Sequence, residues 1–533
     1  MTETVTTMPR WDWGETLKKA GVKEGILNAG TLAFPGEILW ARDGSRSTID
    51  ASAFGTLVGR IAASLEHLGV KRGDRVVGFL GRRPEAFAAA VAAWRIGAIY
   101  VPLFTSFGAE AIRIRIDDSG ARAAVTDSAN LPALIAAHSR GDDLRVLVVD
   151  DSSGDVRLLD AVSPTIVSTN AEEPATIVYT SGTTSRPKGC VMPHRALLNL
   201  WPYVEHGLRL KPADRMFSTA DPGWSFGLLT TGLAPLSLGH DRCLYEPGFD
   251  VTEWWQAIAQ WKVTHLCTAP TGLRQLRAAE PELVARCAAS IRVVTTAGEV
   301  LTADVVSWLR NALGIPIHNS FGLTELGMLT ANVDIPNDED SALALGRALP
   351  GFDLAVVDDD GQPVEVGERG RLAVRENGHF LSSTYWGREE DWESRRKNGW
   401  WITEDLVRED EGGRYWYVDR GDDIIVTAGY NVSPGEIESV ILRHPAVIEV
   451  GCVSAPDARK GNIVVAHAVL SAPETPALLA EIRALVGATA GWHAAPKRIV
   501  VHQSLPRTES GKLRRRDLRE SAETTPSDEG AAS

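Results

Sequence analysis

The sequence predicts an α/β fold with parallel sheets, because helical periodicity and short apolar runs alternate along most of the chain. Residues 54–70 have the spacing of an amphipathic helix, and residues 74–80 form an apolar run typical of a buried strand. A second helix is expected at residues 84–98, where Pro84 suits the first turn, and a second strand at residues 99–104. Strands and helices in this order favour strands that run in parallel.

The same alternation continues in two later groups of apolar runs. The first group contains residues 121–127 and 144–150, and the second contains residues 264–270, 291–298 and 315–322. Two such groups predict that a large N-terminal domain contains two doubly wound α/β subdomains.

The pattern changes after Leu345, where short apolar runs are separated by Asp-Gly and Gly-Glu turn signals. This change predicts a β-barrel-like subdomain that completes the large domain at residues 1–420. The polar residues 421–423 are the predicted hinge, and a small mobile C-terminal α+β domain is expected at residues 424–521. Residues 522–533 are small and polar and are predicted to be disordered.

Composition limits the classes of function. Of the 533 residues, 44% are hydrophobic and 23% are charged, as in soluble multidomain proteins. The formal net charge of -14 argues against broad binding of nucleic acid, which depends on Lys and Arg. The longest apolar stretch, residues 87–104, is interrupted by Arg95, Gly97 and Pro102, so no membrane span is predicted. The five cysteines have no metal-ligand spacing and the N-terminus has no signal-peptide pattern, which together predict a cytoplasmic protein.

The most specific motif is YTSGTTSRPKG at residues 179–189, directly after an apolar run. Hydroxyls and backbone amides in such a loop converge on phosphate oxygens, while Gly182 allows close approach and Lys188 adds positive charge. The order Pro-Lys-Gly excludes a Walker A loop. A flexible surface turn is the alternative interpretation. The candidate phosphate-contacting residues are Thr180, Ser181, Gly182, Thr183, Thr184 and Lys188.

This string resembles the signature loop of the adenylate-forming superfamily, which includes acyl-CoA synthetases, peptide-synthetase adenylation domains and luciferases. The string STADPGWSFG at residues 218–227 is similar to the acetyl- and medium-chain acyl-CoA synthetase branch. The resemblance covers roughly residues 35–520. It implies an enzyme that uses ATP, Mg²⁺ and coenzyme A.

Further nucleotide contacts are implied by NSFGLTE at residues 319–325, which resembles the adenine and phosphate motif of the family. The resemblance implies that Glu325 and Thr184 hold Mg²⁺, and oxygen ligands suit that ion. The alternative is that Glu325 lies on a solvated helix start, favoured by the helix dipole. The other nucleotide-contacting residues implied in this motif are Asn319, Ser320, Phe321, Gly322 and Thr324.

The sequence AGEV at residues 297–300 follows an apolar run, so it is expected at the carboxyl end of a strand, where open α/β sheets bind ligands. The resemblance places Gly298 and Glu299 beside the adenine. The implied acyl pocket is lined by Trp224, Phe226, Thr296, Ala297, Gly322 and Leu323. For the aromatic residues, ordinary core packing is the alternative.

The C-terminal motifs complete the resemblance. Asp405 of WWITEDLV matches the ribose-binding aspartate, Arg420 is its bracing arginine, and Asp422 is at the hinge position. Gly429 of AGYNVSPGEIE matches the loop for thioester formation, and Asn431 of the same loop is an implied nucleotide contact. Lys512 of LPRTESGKLRRRDL matches the catalytic lysine, whose ammonium stabilises negative charge during attack on the α-phosphate.

The implied reaction has two steps in one cleft. A carboxylic acid and ATP give acyl adenylate and pyrophosphate, and the thiol of coenzyme A then displaces AMP. The implied catalytic residues are Lys512, Thr184, Glu325 and Gly429. Because Lys512 and Gly429 serve different steps, a rotation about Asp422 is expected between them.

Three residues depart from the family pattern, since Ser185, Glu404 and Asp419 each replace a glycine. Side chains at these positions could obstruct the nucleotide, and two of them add negative charge beside a polyanion. One alternative function is therefore thioester formation from an adenylate that a partner ligase supplies. A non-catalytic nucleotide- or adenylate-binding protein is a second alternative. The sequence does not identify the acid, and it leaves open a carrier-protein acceptor and a homo-oligomer.

Overall fold

A computed structural model describes most of the chain, in two compact units. The first unit comprises Met1–Asp353 and Arg375–Gly399, and the second comprises Leu354–Val374 and Trp400–Ser533. The described residues are 11–42, 45–137, 144–150, 154, 156–180, 187–333, 339–376, 380–420, 423, 425–427, 430–457, 461–490, 494–508 and 511–524.

The strands are short and mostly apolar. In chain order they are β1 Ile38–Arg42, β2 Ser45–Ile49, β3 Arg75–Phe79, β4 Ile99–Pro102, β5 Ala123–Thr126, β6 Arg145–Val148, β7 Val156–Arg157, β8 Pro174–Thr180, β9 Lys188–Pro193, β10 Arg215–Ser218, β11 Asp241–Tyr245, β12 His265–Cys267, β13 Val293–Ala297, β14 Ile317–Leu323, β15 Gly327–Asn332, β16 Arg347–Ala348, β17 Leu354–Val357, β18 Arg369–Arg375, β19 Thr384–Tyr385, β20 Arg396–Lys397, β21 Trp400–Glu409, β22 Tyr415–Arg420, β23 Ile425–Thr427, β24 Tyr430–Val432, β25 Val447–Asp457, β26 Gly461–Leu470 and β27 Arg498–Val501.

The helices alternate with these strands. The α-helices are α1 Trp13–Lys19, α2 Ala51–His67, α3 Pro84–Arg95, α4 Ala109–Ser119, α5 Leu131–Ala137, α6 Ala234–Ser237, α7 Val251–Gln260, α8 Pro270–Arg277, α9 Pro281–Cys287, α10 Ala303–Ser307, α11 Glu339–Ala342, α12 Glu389–Glu393, α13 Pro434–Ile441, α14 Pro476–Ala490 and α15 Arg515–Thr524. Segments of 3₁₀ helix lie at Ala29–Thr31, His194–Leu200 and Ala288–Ser290, and π-helical segments lie at Tyr203–Leu208, Phe226–Leu233 and Trp308–Ala312.

The first unit contains two large mixed sheets. One has eight strands in the order β19-β9-β8-β4-β3-β5-β6-β7, and the other has nine in the order β16-β15-β14-β13-β12-β10-β11-β1-β2. The central strands of both sheets run in parallel, because helices connect them in sequence. Asp50 caps α2 by accepting a hydrogen bond from the amide of Ala53, and Pro84 begins α3 as expected. The predicted α/β class is confirmed.

The second unit begins with antiparallel strands, since β17 pairs with β18 and β21 pairs with β22. A hairpin of β23 and β24 follows, and then a sheet in the order β25-β26-β27. Helices α13 and α14 pack against β25 and β26 through one apolar core, while Leu518 of α15 belongs to a separate core on the same sheet. The antiparallel strands after Leu345 agree with the turn signals in the sequence. The boundary at residue 420 stays a prediction.

No helix in the part of the chain that the structure describes combines the length and the apolar character needed to cross a bilayer.

Gly346 is a position where the fold requires glycine. Its φ is +92°, and a Cβ there would lie 2.1 Å from the backbone of Ala331 in β15. Gly314 also has positive φ, +67°, but its Cβ would meet no atom within 4 Å. A side chain at position 346 would therefore cause both backbone strain and a steric clash, whereas a side chain at position 314 would cause the strain alone.

We expect Gly346→Ala to lower the free energy of unfolding by about 3 kcal/mol or more, and Gly314→Ala by about 1 kcal/mol. Urea denaturation followed by tryptophan fluorescence measures both losses. Equal losses for the two variants would show that the backbone beside β15 yields to a methyl group, contrary to this account.

Candidate active site

The motif at residues 179–189 lies between two antiparallel strands of the first unit. β8 ends at Thr180 and β9 begins at Lys188, and these two residues face each other in the strand register. The hydroxyl of Thr180 donates a hydrogen bond to the carbonyl oxygen of Lys188 at 3.4 Å. The ends of the loop are therefore fixed, although Ser181, Gly182, Thr183, Thr184 and Ser185 lie outside the described residues.

The side chain of Lys188 is half-buried and has two neighbours. Its Nζ lies 3.0 Å from a carboxylate oxygen of Asp391 and 5.1 Å from the centre of the Tyr385 ring. An ammonium above an aromatic face is attracted by the ring electrons. Both neighbours hold the charge of Lys188 beside the loop.

Glu325 lies in the tight turn between β14 and β15, at which Gly327 has a φ of +85°. The alternative placement on a helix start is therefore wrong. The hydroxyl of Tyr385 donates to Glu325 Oε1 at 2.9 Å. Burial raises the pKa of Tyr385, and the carboxylate of Glu325 raises it further, so the phenol stays protonated and remains a donor.

A connecting segment, residues 381–386, joins the β14–β15 turn to β9. The amide of Ser382 donates to the carbonyl of Glu325 at 2.8 Å, and the amide of Ser383 donates to the carbonyl of Val191 at 2.8 Å. The amide of Trp386 donates to the carbonyl of Gly189 at 2.7 Å. The segment thus brings two sequence-predicted residues from different sheets, Lys188 and Glu325, to either side of Tyr385.

Gly298 and Glu299 follow β13 at its carboxyl end, as the sequence predicts. Glu299 Oε2 accepts hydrogen bonds from the amide and the hydroxyl of Thr271, at 3.1 and 2.7 Å, and lies 3.6 Å from Arg274. Glu299 Oε1 is buried and has no hydrogen-bond partner among the described residues. One oxygen is therefore fixed to α8, while the other is positioned to accept a bond from a ligand.

The predicted nucleotide-contacting residues of β14 lie beside the predicted site residues of β13. Thr296 pairs with Asn319, and Ala297 pairs with Ser320, so both sets share one edge of the sheet. The side-chain amide of Asn319 donates to the backbone carbonyls of Leu343 and Ala344 at 3.2 and 3.1 Å, so this side chain holds the strand in place. The residues that follow toward the sheet edge, Phe321, Gly322, Leu323 and Thr324, are half-buried.

The predicted acyl-pocket aromatics meet the β13 edge. Gly298 has a φ of +90°, and a Cβ there would lie 3.1 Å from the Trp224 ring. The rings of Trp224 and Phe226 are 5.4 Å apart, and Phe226 begins the π-helical segment Phe226–Leu233. Trp224 is half-buried and Phe226 is buried, so Trp224 presents the more accessible surface. π-Helical turns occur frequently at functional sites.

In the second unit, Asp405 lies on β21 opposite Arg420 of β22. Asp405 is 7% exposed, and its amide donates to the hydroxyl of Thr403 at 3.1 Å. The neighbouring Glu404 lies on the other face of the strand and pairs with Arg371 at 2.7 Å. The side chain of Arg420 lies outside the description.

Lys512 lies on an exposed turn of the second unit. Its amide donates to the hydroxyl of Thr508 at 3.0 Å, and its carbonyl accepts from the amide of Thr508 at 2.6 Å. Asn431 lies on β24 opposite Val426, with only its backbone described. The hinge residue Asp422 and the loop residue Gly429 lie outside the described residues.

The sequence motifs missed two residues beside the predicted phosphate loop, Tyr385 and Asp391. Both come from residues 380–393, about 200 positions after the loop, in a stretch without glycine-rich or charged periodicity. Only the pairing of β19 with β9 reveals that Tyr385 lies opposite Cys190, two residues after Lys188. A cluster of aromatic and serine residues before a short acidic helix was the only signal, and it is weak.

Comparisons with known proteins match most of the chain. Residues 37–386 match the family described as AMP-binding enzyme, and residues 436–512 match the AMP-binding enzyme C-terminal domain. An acetyl-coenzyme A synthetase of Streptomyces avermitilis is 34% identical over 504 residues, which cover 87% of this chain and 77% of the relative. The human mitochondrial acyl-coenzyme A synthetase ACSM3 is 30% identical over 498 residues, covering 90% of this chain and 84% of the relative. The crystal structure of a Brucella canis acyl-CoA synthetase is similar with a TM-score of 0.73 and 32% identity, covering 96% of this chain and 97% of that chain.

We expect Tyr385→Phe to lower acid-dependent exchange between ATP and pyrophosphate about tenfold, which corresponds to about 1.4 kcal/mol for a hydrogen bond to a charged group. The ring that faces Lys188 stays, so the variant removes only the donor to Glu325. The matched control is Tyr245→Phe, which loses a hydrogen bond of 2.8 Å to Glu253 on the exposed surface. Equal rates for both variants would exclude a role for the Tyr385 hydroxyl.

Proposed function

Because the chain belongs to the AMP-binding enzyme family, we propose that it converts a carboxylic acid, ATP and coenzyme A to acyl-CoA, AMP and pyrophosphate through an acyl adenylate. The family match confirms the resemblance found in the motifs, including that to acetyl- and medium-chain acyl-CoA synthetases. It also confirms the enzyme class, an AMP-forming acid–thiol ligase.

The observation that carries the proposal is the junction of Lys188, Tyr385 and Glu325. A cation and a carboxylate lie on either side of one phenol, at the base of a loop rich in hydroxyls and amides. A triphosphate requires a positive charge near its oxygens and an oxygen ligand for its metal ion. The junction supplies both from described residues.

Mg²⁺ fits this chemistry. This ion is usually held by one or two carboxylates together with substrate phosphates, rather than by a cage of protein ligands. Glu325 is the described residue that would hold it, with Thr184 as the second ligand that the resemblance implies. When bound, the ion neutralises charge on the phosphates.

In the proposed adenylation step, the carboxylate of the acid attacks the α-phosphate of ATP and pyrophosphate leaves. Lys512 stabilises the negative charge that develops on the α-phosphate. Asp405 accepts hydrogen bonds from the ribose hydroxyls, and Glu299 Oε1 is the unpartnered acceptor beside the adenine. The carboxylate of the acid and the triphosphate repel each other, so their reaction needs a positive group such as the ammonium of Lys512.

In the proposed thioester step, the thiol of coenzyme A attacks the acyl carbonyl and AMP leaves with the bonding electrons. Gly429 allows the pantetheine arm to approach the backbone. Because Lys512 and Gly429 both follow Asp422 in the chain, we propose that a rotation about Asp422 exchanges them.

Two of the three residues that depart from the family pattern have partners within the second unit. Glu404 pairs with Arg371, and Asp419 accepts hydrogen bonds from Ser433 and Gly435. Neither carboxylate is therefore a free negative charge beside the nucleotide, and this favours both steps over thioester formation alone. The third departure, Ser185, lies outside the described residues.

The acid is expected to lie against Trp224, whose ring covers Gly298. Acids from acetate to medium-chain and aromatic acids are candidates, and free coenzyme A is the preferred acceptor over a carrier protein. We also propose a cytoplasmic location, with no nucleic-acid partner. A partner ligase and a homo-oligomer remain alternatives.

The test of the proposal measures the two half-reactions separately with acetate, octanoate, benzoate and cholate. Pyrophosphate release with ATP and each acid reports adenylation, and thioester formation from each synthetic acyl adenylate reports the second step. We expect both pyrophosphate release and thioester formation with at least one of the four acids. Thioester formation without pyrophosphate release would favour the partner-ligase alternative, and the absence of both activities with all four acids would favour the non-catalytic one.

We expect Lys512→Ala to lower pyrophosphate release at least about 100-fold, while thioester formation from the synthetic adenylate changes less than about threefold. The loss is confined to adenylation because the lysine acts on the α-phosphate before the adenylate exists. The control is Arg516→Ala, an exposed neighbour that pairs with Glu520 at 3.0 Å. A parallel loss of both half-reactions in Lys512→Ala would contradict the assigned role.

A further inference from the structure

Asp419 has specific hydrogen bonds at a position where the family pattern has glycine. It lies on β22 and is 2% exposed. Its Oδ2 accepts from the hydroxyl of Ser433 at 2.7 Å and from the amide of Gly435 at 3.3 Å. A buried carboxylate requires such donors, because an unpaired buried charge is costly.

Both donors belong to the start of α13, which extends from Pro434 to Ile441. The first amides of a helix have no partner within the helix, and the helix dipole favours negative charge there. Asp419 satisfies one of these amides, that of Gly435, and the hydroxyl of Ser433 just before the helix. The contact therefore fixes the start of α13 to β22.

A half-buried arginine, Arg515, extends this contact to α15. Arg515 pairs with Glu438 of α13 at 2.5 Å and with Asp423 at 3.3 Å. Burial alone would lower the pKa of Arg515, but Glu438 and Asp423, together with Asp419, raise it above its ordinary value. These carboxylates hold α13, α15 and the residue after the hinge position in one network.

The hydrogen bonds of Asp419 join residues that lie on opposite sides of the predicted hinge in the chain. Asp419 precedes Asp422, whereas Ser433 and Gly435 follow both Asp422 and the loop residue Gly429. Any rotation of residues 424–521 about Asp422 must separate β22 from the start of α13. The hydrogen bonds of Asp419 then break, and they stabilise the orientation in which they form.

We propose that Asp419 is a positioning residue that sets the balance between the adenylation and thioester-forming orientations of the C-terminal domain. This inference rests on the proposed two-step function. In this chain, the contact adds a bias toward one of the two half-reactions.

A purely structural role for Asp419 makes a different prediction. Loss of a helix-capping carboxylate would then lower stability and slow both half-reactions together. A positioning role changes the ratio of their rates, because a shift toward one orientation favours one half-reaction and disfavours the other.

The experiment compares Asp419→Gly and Ser433→Ala with the wild type, using the acid and the synthetic adenylate that the wild type accepts best among acetate, octanoate, benzoate and cholate. ATP–pyrophosphate exchange without coenzyme A gives the rate of adenylation, and the reaction of adenylate with coenzyme A gives the rate of thioester formation. We expect each variant to change the ratio of the two rates at least fivefold and in the same direction. Ser433→Ala removes only one hydroxyl, so it provides the test if Asp419→Gly does not fold.

The matched control is Asp410→Asn in the turn before β22. Asp410 accepts from the amides of Gly412 and Arg414, each at 2.9 Å, and these residues all precede the hinge. Its ratio should stay within twofold of the wild type. Unchanged ratios in Asp419→Gly and Ser433→Ala, or a parallel loss of both rates with melting temperature, would overturn the positioning role. A wild type without either half-reaction would overturn the proposed function as well.

Discussion

The hydrogen bond from Tyr385 to Glu325 is the interaction on which the arrangement of the proposed phosphate site depends. Lys188 begins a strand of the eight-stranded sheet, and Glu325 lies in a turn of the nine-stranded sheet. Each sheet has its own strand register, so neither one fixes the position of the other. The connecting segment at residues 381–386 links both through backbone hydrogen bonds, and its tyrosine occupies the space between the charged groups. A ligand with several phosphates can then meet a cation and a carboxylate whose separation is already set.

Neutralisation of acidic side chains is the second constraint, because the proposed function requires a protein of net charge -14 to bind ATP. Acidic residues near the motifs are engaged by specific partners: Asp391 by Lys188, Glu404 by Arg371 and Asp419 by the start of α13. Each pair confines a carboxylate that would otherwise repel phosphate. Glu299 is different, since one of its oxygens has no protein partner among the described residues. An acceptor at that place suits the amino or hydroxyl groups of a nucleoside better than its phosphates.

The sequence predicts the elements and the motifs well, because both depend on local patterns. Pro84 at a helix start, Gly298 after a strand and Glu325 after an apolar run are all readable from short windows. What it does not predict is the pairing of distant segments. Tyr385 lies near Lys188 only because β19 pairs with β9, across about 195 residues of chain. The environments of Glu404 and Asp419 are hidden for the same reason, since Arg371 and Ser433 come from strands or helices whose packing no local pattern reports. Their motif positions alone predict repulsion of the nucleotide, whereas the structure shows that each carboxylate has a protein partner.

The hydrogen bonds of the Lys512 turn limit how the proposed catalytic ammonium can move. Thr508 holds the backbone of Lys512 from two sides, and Arg515, three residues later, is fixed by Glu438 and Asp423. A turn fixed in this way does not supply a large displacement by itself, because moving it would separate the half-buried Arg515 from its two carboxylates. Displacement of Lys512 must instead involve the whole network of α13 and α15 as one body. The pivot that the sequence predicts for such a body is residues 421–423, and the hydrogen bonds of Ser433 with Asp419 and Val418, together with that of Gly435 with Asp419, join the two sides of this position.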